Sequence, residues 1–349
     1  MTQTAVSQRA VPLTGLLSDE AVVFNATSQK IYAVDSLRGV VSIINTKTQV
    51  RTQVKVGVSP VAIAVDSATN KVYVANNGSG AISVLDGQTD VVTATVEIGK
   101  APYVLAVNEA TNRVYVSNTF SDLLSIIDGG TNAVHRIKAG SADKIRVDSI
   151  RNLVYLMGYE SDHFTILDGD TEKLRPVPVG ALHLWDVALN KITGEAFVTR
   201  LEKNDVVSSG TALQGASTIA VGKMPCAVRV DESRHRMYVA NYAGNSITVV
   251  DTAKRAPIKT IPVGDRPQAI ALDEEANLIY VANTHGNSIS VIDGTSLKVI
   301  ATLPTGKNPY ALAFDSQNGE LYAADFSEQA VTHVDVSRFR IHASERTGN

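Results

Sequence analysis

The chain has 349 residues, of which 44% are hydrophobic and 19% charged, with a net charge of −3. Its Lys and Arg are scattered rather than gathered with aromatics into a basic tract, which excludes nucleic acid as the expected partner, and its apolar runs are too short to span a bilayer. Cys226 is the only cysteine, which excludes an intrachain disulfide framework.

Residues 1–12 are polar and aperiodic and read as an N-terminal arm, with 6–12 available as an edge strand. They lack the charged start and apolar run of a secretory leader. The chain is therefore expected to be soluble, free of membranes and cytoplasmic as written, or exported if a leader has been removed. From residue 13 to 344 it is periodic. Residues 56–98 show the unit: apolar runs at 61–65, 71–75, 81–85 and 91–98, closed by Asp66 with SATN, by NNGSG, by Asp86-Gly87 and by Gly99. Short Val- and Ile-rich runs bounded by Gly, Asn and Asp predict four strands joined by tight turns. The opening glycine recurs as Gly57, Gly99, Gly140, Gly180, Gly222, Gly264 and Gly306, spaced by 42, 41, 40, 42, 42 and 42 residues, and a further unit precedes Gly57. A period near 42 with four strands per unit predicts an all-β chain forming a single β-propeller.

Unit one carries Asp35 where its neighbours carry Asn. Units two and three keep the consensus. Unit four departs from it, and unit five departs most: it loses the Asp-Gly turn. Units six and seven return to it. Unit eight, residues 305–344, has LYAAD for VYVAN and FRIHA as its expected last strand, before a disordered tail at 345–349. Eight complete units predict eight four-stranded blades. Seven would require the first and last units to share one sheet.

VYVAN at 72–76, VYVSN at 114–118, MYVAN at 237–241 and IYVAN at 279–283, with PxAIAxD and ISVIDGxT beside them, resemble the repeat of YVTN-type propeller proteins over residues 13–343. The resemblance implies the propeller fold. Function is left open, because the family includes surface-layer-like proteins, periplasmic binding proteins and relatives of lactonases and lyases. Lyase relatives use His and Glu from several blades with a divalent metal, but that motif finds no residue-by-residue match here. Some eight-bladed relatives hold a haem in the channel, and the c-type haem attachment motif is absent.

The repeat supplies its own control, since a position that varies between units is not dictated by the scaffold. At the start of the innermost strands one column reads Glu20, Val61, Tyr103, Asp143, Trp185, Cys226, Gln268 and Tyr310, a ring expected at the channel mouth. The next column is small and apolar except for Lys144 and Asp186. Two residues on, a column of Val and Ala is broken by Arg146 and Arg229, and period-2 alternation places it on the same face. Charges where the repeat has Ala point to a polar channel between blades four and six, because an unpaired buried charge is costly. A structural salt-bridge cluster around Asp186 is the competing explanation. The loop after each VYVAN strand is expected at the same mouth, and units four and five again differ, adding Tyr159, Glu160, His163, Arg200 and Glu202, with Tyr242, His285 and Phe326 facing them.

These residues predict a small-molecule site. Lys144, Asp186 and Glu160 are the catalytic candidates. Arg146, Arg229, Trp185, Tyr103, Tyr159, Arg200, Tyr242, Tyr310, His183, His285, Glu202 and Phe326 are the substrate-binding ones. Lys and Arg would stabilise negative charge, and Asp186 or Glu160 would move a proton. The outline fits a lyase, isomerase or hydrolase acting on an anionic or carbonyl-bearing substrate. The alternative is a non-catalytic propeller that binds a protein, peptide or glycan. No cofactor is expected. The histidines form no close-spaced metal motif, although His163, His183 and His285 could meet at one mouth with a divalent metal. Cys226 reads as a small half-buried side chain, and the Asp-Gly pairs at Asp86, Asp128, Asp168 and Asp293 as hairpin turns.

Overall fold

The computed structural model describes residues 11–12, 20–119, 121–210, 217–327 and 330–340. Eight four-stranded antiparallel sheets stand in a ring. Their innermost strands are Val22–Asn25, Pro60–Asp66, Pro102–Asn108, Lys144–Asp148, Leu184–Asn190, Pro225–Asp231, Pro267–Asp273 and Pro309–Asp315, for blades one to eight in order. The fold is an eight-bladed β-propeller. Each blade is packed between two others, so middle strands such as Lys71–Asn76 and Ala81–Asp86 are buried on both faces and read as continuous apolar runs. Outer strands such as Arg51–Lys55 are largely exposed.

The eighth blade closes the ring, and it differs from expectation. Its outer strand is Val11–Pro12 from the N-terminal arm, with Val11 opposite Val331 and Pro12 opposite Ala330. Phe339 and Arg340 of FRIHA therefore do not form a strand. Residues 337–340 make a helical turn, and Arg340 pairs with Asp273 at 2.7 Å and Glu275 at 2.8 Å on blade seven. The rest of FRIHA and the expected tail lie outside the described residues. The closed seam is sealed by one apolar cluster spanning blades one, two and eight and by Gln49 Nε2, which donates to Glu320 Oε2 at 3.1 Å and Tyr322 Oη at 3.2 Å.

The consensus residues are the joints between strands and blades. The tyrosine of VYVAN is fully buried in seven blades, and Phe197 takes its place in blade five. The cation that opens the strand reaches the next blade's turn: Lys30 Nζ donates to Gly87 O at 2.9 Å and Arg113 Nη1 to Gly169 O at 2.6 Å. Blade five makes the same joint with opposite polarity, since Glu195 Oε1 forms an ion pair with Arg255 Nε at 3.1 Å. The asparagine of VYVAN fills the gap before the blade. Asn76 Oδ1 accepts Gly57 N at 3.0 Å, and its Nδ2 donates to Ser83 Oγ at 2.9 Å. A Cβ on Gly57 would lie 2.6 Å from the Asn76 side chain, so only glycine admits this approach. The hairpin aspartates close Asx turns: Asp86 Oδ1 accepts Gln88 N at 3.0 Å and Thr89 N at 2.7 Å. Among the described residues no helix is long and apolar enough to cross a membrane.

Candidate functional site

In blades two, three, six, seven and eight the innermost strand slips register between its proline and the residue two on, as between Pro60 and Ala62. Proline has no N–H to offer the ladder, so the strand enters as a bulge. A bulge re-aims its extra residue. Here that residue is Val61, Tyr103, Cys226, Gln268 or Tyr310, and the last four line an upper chamber of about 410 Å³. Glu20, Asp143 and Trp185 continue the ring, with Lys144 and Tyr159 in the same wall.

The bulge ends before the two columns of small residues, so period-2 alternation holds between them: Ala62 and Ala64 pair in unbroken register with Ala75 and Tyr73, and Ala311 and Ala313 pack into one apolar cluster. Ala62, Ala227, Ala269 and Ala311 are buried, whereas Ala64, Ala106 and Ala271 are partly exposed, so in these blades the shared face opens towards the channel at the second column. Blade four pairs in register from Lys144 opposite Met157, and Lys144 reaches the chamber. In blade five the shift widens to run from Leu184 to Val187. The Asp186 amide bonds Thr199 Oγ1 at 2.9 Å, and the carboxylate turns into the wall, only 1% exposed.

That carboxylate holds an ion cluster at the waist of the channel. Asp186 Oδ1 accepts Val187 N at 2.9 Å and Arg146 Nη2 at 3.2 Å. Asp186 Oδ2 accepts Val228 N at 3.1 Å and Arg229 Nη1 at 2.8 Å. Arg146 Nη1 also reaches Glu20 Oε1 at 2.7 Å. With four donors in place, Asp186 has no lone pair left for a substrate proton, so the catalytic role expected of it does not fit this geometry. The three catalytic candidates do not converge either. Lys144 faces the upper chamber, Asp186 is in the wall, and Glu160 lines an adjoining groove between blades three and four.

The remaining candidates divide between rim and scaffold. Tyr159 lies 4.8 Å from the His183 ring and 5.7 Å from Trp185, edge-on to the latter, and His183 Nδ1 lies 2.8 Å from Glu202 Oε1. Tyr242 meets His285 edge-on at 6.4 Å and takes Arg266 over its ring at 5.3 Å, and Tyr310 meets Phe326 edge-on at 6.2 Å. These groups make an aromatic rim. Arg200 is scaffold: it stands in the asparagine column, grips Asp205 with Nε at 2.7 Å and Nη2 at 2.6 Å, and donates Nη1 to Val179 O. The ligand-binding role expected of it is therefore not supported. Cys226 is buried, and its thiol points at the Pro267 carbonyl oxygen, 3.2 Å away. His163 opens the strand His163–Asp168 and bonds Asp162 Oδ1 at 2.8 Å. Among the described residues no three His, Cys, Asp or Glu side chains are grouped as metal ligands would be.

Sequence reasoning missed a lower chamber of about 540 Å³, where Arg146 and Arg229 meet Lys191, Glu232 and Glu274. These last three share one column, directly after the acid or amide that ends each innermost strand, and the comparison between units would have found it there. Glu232 Oε1 caps Lys191 N at 2.6 Å, as Glu109 Oε1 caps Ser67 N at 2.9 Å. Glu274 sits at the exposed rim. Partial desolvation first, then the Asp231 and Glu232 carboxylates, raise its carboxyl above the usual range.

No family model and no curated protein matches the sequence. Among solved structures the chain resembles Kuenenia stuttgartiensis hydrazine synthase, with a TM-score of 0.61 and 15% identity over 93% of this chain and 98% of that one. It also resembles the dihydro-heme d1 dehydrogenase NirN in complex with DHE, with a TM-score of 0.70 and 15% identity over 93% of this chain and 75% of that one. At such identity the likeness is one of fold.

Proposed function

We propose that this chain is a YVTN-type propeller that acts on a small anionic or carbonyl-bearing molecule in the upper chamber, by acid–base chemistry of the lyase, isomerase or hydrolase kind. The observation that carries the reading is Lys144, a cation in a column built for alanine that lines a chamber walled by Tyr103, Tyr159 and Trp185. An ammonium group in a partly desolvated pocket stabilises a developing oxyanion far better than it does in water. Asp143 lines the same chamber, and its Oδ2 accepts the Tyr159 amide at 2.7 Å, which fixes the carboxylate as a proton carrier. The Glu20–Arg146–Asp186–Arg229 cluster below would hold the floor rigid.

The test is a thermal-shift screen against small carboxylates, lactones and phosphates. A ligand at about 100 times its Kd adds about 2.7 kcal/mol. A hit should vanish in Lys144→Ala and Trp185→Ala and persist in Arg200→Ala. Exchange of the proton beside the ligand carbonyl with deuterated solvent, followed by NMR, should then be lost in Asp143→Asn while binding remains. A hit indifferent to Lys144 would remove the reading. Leu182, Met224 and Phe326, exposed on the same face, favour a second reading, a peptide-, protein- or glycan-binding rim. That reading predicts silence in the screen and capture of a partner that Phe326→Ala abolishes.

A further inference from the structure

The gap that precedes each blade is filled by a carboxamide in four of the eight blades and by a charged side chain in three others. Asn76 takes Gly57 N on Oδ1 and gives Nδ2 to Ser83. Asn241 takes Gly222 N at 2.9 Å and gives Nδ2 to Thr248 Oγ1 at 2.9 Å, and Asn283 gives Nδ2 to Ser290 Oγ at 3.0 Å. Asn118 holds the same column in blade three, Asp35 and Asp325 hold it in blades one and eight, and Arg200 holds it in blade five. Blade four alone has no side chain there: the column reads Gly158. The acceptor is still present, since Thr165 stands where Ser83, Thr248 and Ser290 stand.

The consequence is visible in the cavity. The groove of blade two, with Asn76 in it, measures about 330 Å³, and the groove of blade four measures about 640 Å³. The blade-four groove is lined by Gly140, Gly158, Ser161 and Thr165, the counterparts of Gly57, Asn76, Ser79 and Ser83. The linker after Gly140 is one residue shorter than the linker after Gly57 and leans into the gap, so that the Ser141 carbonyl oxygen lies 2.9 Å from where a Gly158 Cβ would be. Neither this carbonyl nor the Thr165 hydroxyl has a hydrogen-bond partner among the described residues.

We infer that the groove between blades three and four binds a small molecule bearing a primary carboxamide. Its NH2 would donate to the Thr165 hydroxyl and the Ser141 carbonyl, as the asparagine NH2 donates in blades two, six and seven. Its oxygen would accept from the hydroxyls of Ser161 or Thr119, which line the same groove. Asp143 and Glu160 are also in the lining and make the site hostile to a carboxylate of the same shape. The assignment does not rest on the reading of the upper chamber, although Asp143 and Tyr159 line both.

Acetamide, acetate, N,N-dimethylacetamide and methylammonium, each titrated to about 100 mM as suits so small a probe, test it by NMR of the full chain. Acetamide should shift the amides of Gly158, Ser161 and Thr165 saturably and leave Asn76, Ser79 and Ser83 unmoved, and the other three probes should not. Thr165→Val keeps the shape, removes the hydroxyl, and should weaken acetamide at least fivefold. Gly158→Asn, if the linker yields, should abolish the response by supplying the amide internally. Equal shifts in blades two and four, no shift at all, a stronger response to methylammonium, or an unchanged response in Thr165→Val would each overturn the proposal.

Discussion

Asp186 accepts Arg146 Nη2 at 3.2 Å and Arg229 Nη1 at 2.8 Å, and so links blades four, five and six at the channel wall. The side chain of Asp186 is 2% exposed, and those of the arginines 24% and 32%, so the acid is the member of the cluster that cannot be replaced by water. Removing one partner of a buried pair costs about 3–5 kcal/mol, and the partial exposure of the arginines places this case at the lower end. Asp186→Ala should therefore lower the urea unfolding free energy by about 3 kcal/mol, and the double variant with Arg229→Ala should lose less than the sum of the singles. Lys144→Ala, at the chamber wall, should cost about 1 kcal/mol or less. Similar small losses in both singles would refute the structural role given to Asp186.

Arg200 binds Asp205 with two nitrogens and crosses to the Val179 carbonyl of the preceding blade. Hydrogen bonds to charged groups contribute about 1.5–3 kcal/mol each when buried. Arg200→Ala should destabilise the protein by about 2–3 kcal/mol while leaving the affinity of any upper-chamber ligand unchanged. Calorimetry and a binding titration on the same preparation check both halves. A variant of normal stability that no longer binds would return Arg200 to the ligand site.

The number of blades was legible because each glycine, tyrosine and Asp-Gly turn serves a joint that recurs from blade to blade, and a recurring joint leaves a period even where single blades replace one of its residues. The mouth ring was legible for the complementary reason, since Tyr103, Trp185 and Gln268 occupy one column with no common demand on it. The orientation of Lys144 and Asp186 was not. It depends on a bulge set by proline in most blades, missing in blade four and widened in blade five, and period-2 counting carries no information on a bulge. Arg200 looked functional because it broke the asparagine column, yet it meets the same need with another donor. Deviation from the repeat thus marks a site only where the scaffold's demand goes unmet, as at Gly158. Ring closure by Val11–Pro12 was legible only as an available edge strand, because two residues in a polar arm carry no pattern.

Val11 and Pro12 pair with Val331 and Ala330 and cover the outer edge of blade eight. Deleting residues 1–12 exposes the backbone donors and acceptors of Ala330–Asp335, an edge that invites pairing with another chain. The truncated chain should melt several degrees lower and show concentration-dependent self-association in sedimentation, which the full chain should not. Adding the arm as a synthetic peptide should reverse both effects. An unchanged melting temperature with no association would show that the third strand of blade eight suffices to close the ring.

The hairpin aspartates should contribute to the acid limit of the fold, each modestly because the carboxylates are exposed to solvent. Asp86 and Asp128 lie below the ordinary range first because backbone N–H groups of Thr89 and Thr131 bind the carboxylate, and Asp251 first because of the Lys254 amide. Their folded values lie under their unfolded ones, so the ionised form favours the fold. Their contribution is full above the ordinary Asp value and is lost as pH falls through the folded values. Glu274 has the opposite sign. Its raised carboxyl makes the native state the better proton binder, so stability rises slightly as pH falls through its folded value, an effect muted by its exposure. Urea midpoints measured against pH should stay nearly level through the mildly acidic range and then fall steeply below the ordinary Asp value. Asp86→Asn, Asp128→Asn and Asp251→Asn combined keep the Asx turns and remove the titrating groups, so the acid limb should become shallower while neutral stability changes little. An acid limb of unchanged slope in that triple variant would assign acid unfolding to other carboxylates.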